Sequence, residues 1–138
     1  MEIEAIHFTA LVCTAIVILY SDHVGFSYFR GTRLTLTSAF VTWSHRLVWM
    51  GLAVMILSGF FMVLPAWEYY RADPAFFVKM SLVGVLFING LFIGKLSHLT
   101  TERAFAELPD ELRKTLIVSG ALSAIGWVGS TVIGFFFF

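Results

Sequence analysis

The chain has 138 residues, of which 59% are hydrophobic, 17% aromatic and only 13% charged, and its mean hydropathy is +0.87. Soluble domains carry about 25% charged residues, so this composition belongs to a membrane protein. The 9 basic residues balance the 9 acidic ones with no basic block for nucleic acid, and Cys13 stands alone, which excludes an internal disulfide and a CxxC redox centre.

Crossing a bilayer takes roughly 20 mostly apolar residues, and four stretches meet that need: 3–20, 40–64, 75–96 and 116–137. Their length and unbroken apolar character suit helices rather than barrel strands. The expected fold is all-α, an integral membrane four-helix bundle forming a single domain over residues 1–138 with no visible repeat. The chain opens Met1-Glu2-Ile3-Glu4, without the basic start of a secretory signal, so the first apolar run is expected to be kept as a helix.

In chain order, His7, Thr14 and Ser21 recur every seven residues and give the first helix one polar-tinged face. The segment 21–39 reads as a loop holding Asp22 and His23. Its aromatic piece Phe26-Ser27-Tyr28-Phe29, between Gly25 and Gly31, is expected at the inner interface. The second span carries His45 and Arg46, with His45 on one face with Trp49 and Leu52. Trp67, Tyr69 and Tyr70 in the turn 65–74 suit an interfacial aromatic belt. The third span carries Lys79, Asn89 and a Gly90–Gly94 step.

The polar segment 97–115 holds His98 and a short amphipathic helix over 100–105. Pro109-Asp110-Glu111-Leu112 reads as the start of the fourth helix, with Pro in the first turn and acids at the positive dipole end. Ser119, Ser123, Gly126 and Ser130 then repeat at three- and four-residue spacing, the pattern that lets helix backbones approach in lipid. These small-residue faces could equally pack a second copy of the chain as a homo-oligomer. Phe135–Phe138 reads as a lipid-facing anchor.

Arg30, Arg33, Arg46, Lys95, Arg103, Arg113 and Lys114 fall on one side of the spans, and only Arg71 and Lys79 on the other. The basic side is expected to be cytoplasmic, which puts both termini outside a multi-pass protein of the cell inner membrane.

Ionisable side chains in hydrocarbon are costly and point to function. His7 and Lys79 share an outer depth, while Asp22, His23, His45 and His98 sort towards the inner end. Three imidazoles and a carboxylate suit zinc, copper or iron. Two of the imidazoles would alternatively serve as axial haem ligands, with Arg46 or Lys79 pairing the propionates. The plainer reading makes His23 and His98 interfacial, lets Lys79 snorkel to the headgroups, and has His7 bond to a neighbouring helix. On that reading Asn89 serves packing by meeting a facing hydroxyl or carbonyl.

The pattern resembles a superfamily of small bacterial membrane proteins that includes the HemJ-type protoporphyrinogen oxidases and the CopD-like copper-resistance domains. The matching residues are Ala5-Ile6-His7-Phe8, the run from His45-Arg46-Leu47 to Leu57-Ser58-Gly59, and Phe76-Phe77-Val78-Lys79-Met80. The resemblance implies a functional His7 and Lys79 pair and haem b within the bundle. Where that family brings a further histidine in its third helix, this chain reads Ile88-Asn89-Gly90. The expected function is a membrane protein binding haem or a redox metal, with a redox or haem-handling role. A transporter subunit for a metal ion or small solute, and an assembly subunit without cofactor, are the alternatives.

Overall fold

In the computed structural model, which describes residues 2–138, α1 (Glu2–Phe29) leads through a short loop to α2 (Ser38–Val63). A 3-10 turn (Leu64–Ala66) and α3 (Trp67–Tyr70) join it to α4 (Pro74–Leu96). After α5 (Leu99–Glu102) and a second 3-10 turn (Phe105–Glu107), α6 (Asp110–Phe137) completes the chain. The 4 long helices are each long and apolar enough to cross a membrane, and no strand occurs among the described residues. The protein is an all-α, multi-pass membrane protein with four membrane-length helices.

Local chemistry sets the helix ends. Glu2 and Glu4 lie in the first turn of α1, where the dipole favours acids. Thr37 caps α2 by accepting from Phe40 N at 3.3 Å, and Asp73 caps α4 by accepting from Ala75 N at 2.9 Å, with Pro74 opening the helix. Pro109 precedes α6, whose first turn holds Asp110 and Glu111, as its sequence leads one to expect.

The first helix runs further than its apolar pattern indicates. The segment after Tyr20, read as loop, stays helical to Phe29. One internal glycine, Gly25, costs only about 1 kcal/mol, which tertiary packing overrides. That packing comes from Tyr28, which is 1% exposed. Its hydroxyl donates to Arg103 O at 2.8 Å, and its ring meets Phe105 edge-on at 5.8 Å. Gly31, at φ +80°, supplies the left-handed residue that ends the helix. Leu36 N donating to Thr100 O at 2.9 Å ties the α5 segment to the same loop. The amphipathic helix expected over 100–105 is only the short α5, because Arg103 is already extended.

The chain forms two compact units, one of Met1–Ala66 with His98–Glu107, the other of Trp67–Ser97 with Leu108–Phe138. In the first, α1 and α2 are antiparallel. The seven-residue series on α1 extends from His7, Thr14 and Ser21 to Tyr28, and a matching series on α2 runs Ser44, Gly51, Ser58. Advancing seven on α1 and retreating seven on α2 takes the His7–Ser58 contact to the Thr14–Gly51 contact. A period of seven keeps one seam facing its partner along the length of a helix pair. Thr14, buried and bonded to Ala10 O at 2.6 Å, occupies the space that a Gly51 side chain would fill.

In the second unit, α4 and α6 are antiparallel. Leu86 seats on Gly126, Leu82 on Gly129 and Lys79 beside Gly134. The buried face of α6 includes Leu116, Ser119, Gly126 and Ser130, the small-residue face anticipated from its spacing. At the aromatic cluster before α4 Phe138 packs on Tyr70 at 5.2 Å, so the last residue of the chain's Phe run has a protein partner. Phe136, at 80% exposed, keeps the lipid-facing role.

These contacts separate two classes of glycine. A Cβ at Gly126 would lie 2.7 Å from Leu86 side-chain carbons, and one at Gly51 would overlap the branched, hydrogen-bonded Thr14. Gly51→Ala and Gly126→Ala are each expected to cost about 1–3 kcal/mol through overpacking. Gly84→Ala and Gly120→Ala, which meet nothing within 4 Å, are expected to be neutral or slightly stabilising. Thermal unfolding in one detergent, the four variants side by side, checks the split.

Candidate functional site

The best-defined polar site in the first unit is His7. Its Nδ1 lies 2.8 Å from Ser58 Oγ. Ser58 has one hydroxyl hydrogen, which it donates to Val54 O at 2.7 Å, with Met55 O at 3.3 Å alongside. A hydroxyl whose hydrogen is committed meets a third partner as an acceptor. His7 Nδ1 therefore carries a proton and donates it, and the neutral ring has its lone pair on Nε2. Gly59, next to Ser58, lies beside the imidazole, where a Cβ would be 3.5 Å from Cε1.

His45 carries the opposite engagement. Trp49 Nε1 donates to His45 Nε2 at 3.0 Å, across one helical turn. An indole nitrogen only donates, so the His45 lone pair on Nε2 is taken and its proton is on Nδ1. The face shared by His45 and Trp49 thus holds a hydrogen bond as well as an edge-on ring contact, with centroids 6.2 Å apart.

Asp22, His23, Arg46 and His98 are exposed. The backbone carbonyl of His23 accepts from Ser27 Oγ at 3.1 Å, and that of His98 accepts from Thr101 Oγ1 at 2.6 Å. Among the described residues, no three His, Cys, Asp or Glu side chains come together as a group that could hold a metal ion.

Lys79 belongs to the second unit. Its ammonium lies over the Phe138 ring, 5.7 Å from the centroid, in the space left by Gly134. A cation over an aromatic face is attracted by the ring quadrupole, which gives this half-buried lysine a contact inside its own unit. Deeper in the same unit Asn89 Nδ2 donates to Ser119 O at 2.9 Å, and Ser119 Oγ donates to Asn89 Oδ1 at 2.7 Å. One residue supplies both the carbonyl and the hydroxyl that the buried amide needs.

Ser58 is the partner of His7 that residue-by-residue reading misses. Its signal is its place in the Ser44, Gly51, Ser58 series, which mirrors that of α1. Comparison with protein-family models, with curated proteins and with solved structures finds no match to this chain.

The two histidine assignments are open to measurement. In 15N-histidine spectra near neutral pH, the neutral forms of His7 and His45 are both expected as the Nδ1–H tautomer. Ser58→Ala is expected to release the preference at His7 alone, and Trp49→Phe that at His45 alone. In the second unit Asn89→Leu removes both bonds and Ser119→Ala only one. The first is expected to destabilise by about 1–2 kcal/mol and the second by about half that in unfolding measurements.

Proposed function

We propose that the protein binds haem b through His7 and serves a redox or haem-handling role, as an oxidoreductase or carrier, in the cell inner membrane. The observation that carries this reading is the hydrogen bond from His7 Nδ1 to Ser58. Histidines that ligate metals donate their other ring N–H to a fixed acceptor, which sets the tautomer and raises the basicity of the ligating nitrogen. His7 has that arrangement on the buried seam of a membrane helix.

The donor set favours haem over a bare ion. A structural zinc or copper site takes three or four protein ligands, and the described residues offer no such group. Haem brings its own ring nitrogens and needs one or two axial side chains. His7 suits that role because Ser58 fixes its tautomer from the facing helix. Bound haem would supply one-electron exchange at its iron. The chain's own part is to hold the imidazole in one tautomer and to keep water from it within the apolar span.

The resemblance to the HemJ-type proteins supports the same histidine and adds Lys79. The distribution of Lys and Arg supports termini on the extracytoplasmic side.

Protein purified from cells supplied with a haem precursor is expected to show a Soret band at stoichiometric haem. His7→Ala is expected to abolish it, and Ser58→Ala to weaken haem affinity roughly 10–100-fold. Lys79→Met is measured in parallel, a loss of haem-linked activity with retained absorbance marking a role in chemistry. A colourless wild-type protein, or a His7→Ala protein with an unchanged Soret band, overturns the reading.

A further inference from the structure

Two arginines beside the first loop stand without a counter-charge, while two others in the chain have one. Arg71 pairs with Glu68 and Arg113 with Asp110. Arg30 and Arg33, both exposed, form no ion pair and no side-chain hydrogen bond among the described residues. Asp22, Glu102 and Glu107 are the acids at the loop end of the same unit, and none of them pairs with either arginine.

The loop that carries the two arginines is held in one shape. Arg30 N donates to Phe26 O at 2.9 Å, and Gly31 N to Tyr28 O at 3.2 Å. Ser27 O accepts both Arg33 N at 3.2 Å and Thr32 Oγ1 at 2.9 Å. Those two bonds fold residues 32 and 33 back onto the last turn of α1, so Arg30 and Arg33 belong to one hydrogen-bonded turn. A loop already ordered loses little freedom on binding a ligand.

The apolar neighbours of this turn are exposed as well. The Arg30 guanidinium lies over the Phe26 ring, 4.5 Å from its centroid, and Phe26 is 55% and Leu34 72% exposed. A cation over a ring uses no hydrogen-bond donor, so Arg30 keeps its N–H groups for an anion. The loop joins two membrane-length helices, which places it where the headgroups of a leaflet begin. A partner for this place must offer an anion to two guanidiniums and hydrocarbon to Phe26 and Leu34. A soluble anion meets only the first demand, and a zwitterionic lipid brings a cation along with its phosphate.

We propose that the end of α1 and the loop after it bind an anionic phospholipid of the adjoining leaflet. Its phosphate diester accepts from Arg30 and Arg33, and its acyl chains lie against Phe26 and Leu34.

The test is native mass spectrometry of the full chain released from nanodiscs of phosphatidylglycerol and phosphatidylcholine in equal parts. Phosphatidylglycerol is expected to be retained in preference, saturating at one molecule per chain as its fraction rises. Arg30→Gln and Arg33→Gln are each expected to lower that preference about fivefold, the worth of one basic side chain at an anionic surface. Arg113→Gln removes the same charge from a guanidinium already paired with Asp110, and is expected to leave the preference unchanged. All three variants alter exposed or partly exposed side chains, and circular dichroism checks that they keep their helices.

Equal retention of the two lipids, or a preference unchanged in Arg30→Gln and Arg33→Gln, overturns the proposal. So does an equal loss in Arg113→Gln, which would make the preference a matter of net charge alone. Displacement of the lipid by millimolar inorganic phosphate also overturns it, assigning the arginines to a soluble anion. The readout does not use the Soret band, so failure of haem binding leaves this test standing.

Discussion

Lipid tails are as apolar as leucine, so four apolar helices gain nothing from the hydrophobic effect by touching one another in a membrane. What holds them is close backbone approach and the pairing of polar groups that have no water to turn to. The chain answers that constraint twice with the same device. On α1 and α2 a seven-residue series of His, Thr, Ser and Tyr meets one of Ser, Gly and Ser. On α4 and α6 the knobs Leu82 and Leu86 enter glycine positions, and Asn89 closes a reciprocal pair with Ser119. The His7–Ser58 and Asn89–Ser119 bonds each depend on the register of their own helix pair.

Different neighbours give the two histidines different chemistry. His7 donates to a hydroxyl that is itself committed to a backbone carbonyl, so its ring is fixed from across the helix pair. His45 receives from Trp49 on its own helix. The neutral ring of His7 carries its proton on Nδ1 towards Ser58, and that of His45 carries its proton on Nδ1 because Trp49 occupies Nε2. The two states follow from two facts of inventory: a hydroxyl has one hydrogen, and an indole nitrogen has no lone pair to offer.

The membrane-length helices were legible because apolar length is a composition property that survives without any knowledge of packing. The small-residue face of α6 and the demand of Asn89 for a partner were legible for a related reason: spacing and burial cost are local. The length of α1 was not, because its last nine residues are held by Tyr28, whose hydroxyl bonds to Arg103 far along the chain. Nor was Ser58. His7, Thr14 and Ser21 announced a seam, but only the pairing of α1 with α2 shows which serine faces which histidine. Sorting residues by depth put His23, His45 and His98 together, yet depth says nothing of rotation about the helix axis, and the described residues hold no three-donor metal group.

The register of α1 on α2 is the claim on which the pairing of His7 with Ser58 depends. Disulfide trapping in membranes tests it most directly, in a Cys13→Ser background that removes the one native thiol. The register predicts rapid cross-linking of Ser21→Cys with Ser44→Cys, and slow cross-linking of Ser21→Cys with Val48→Cys, one turn away. Equal rates for the two pairs, or a faster reaction at Val48, would contradict it.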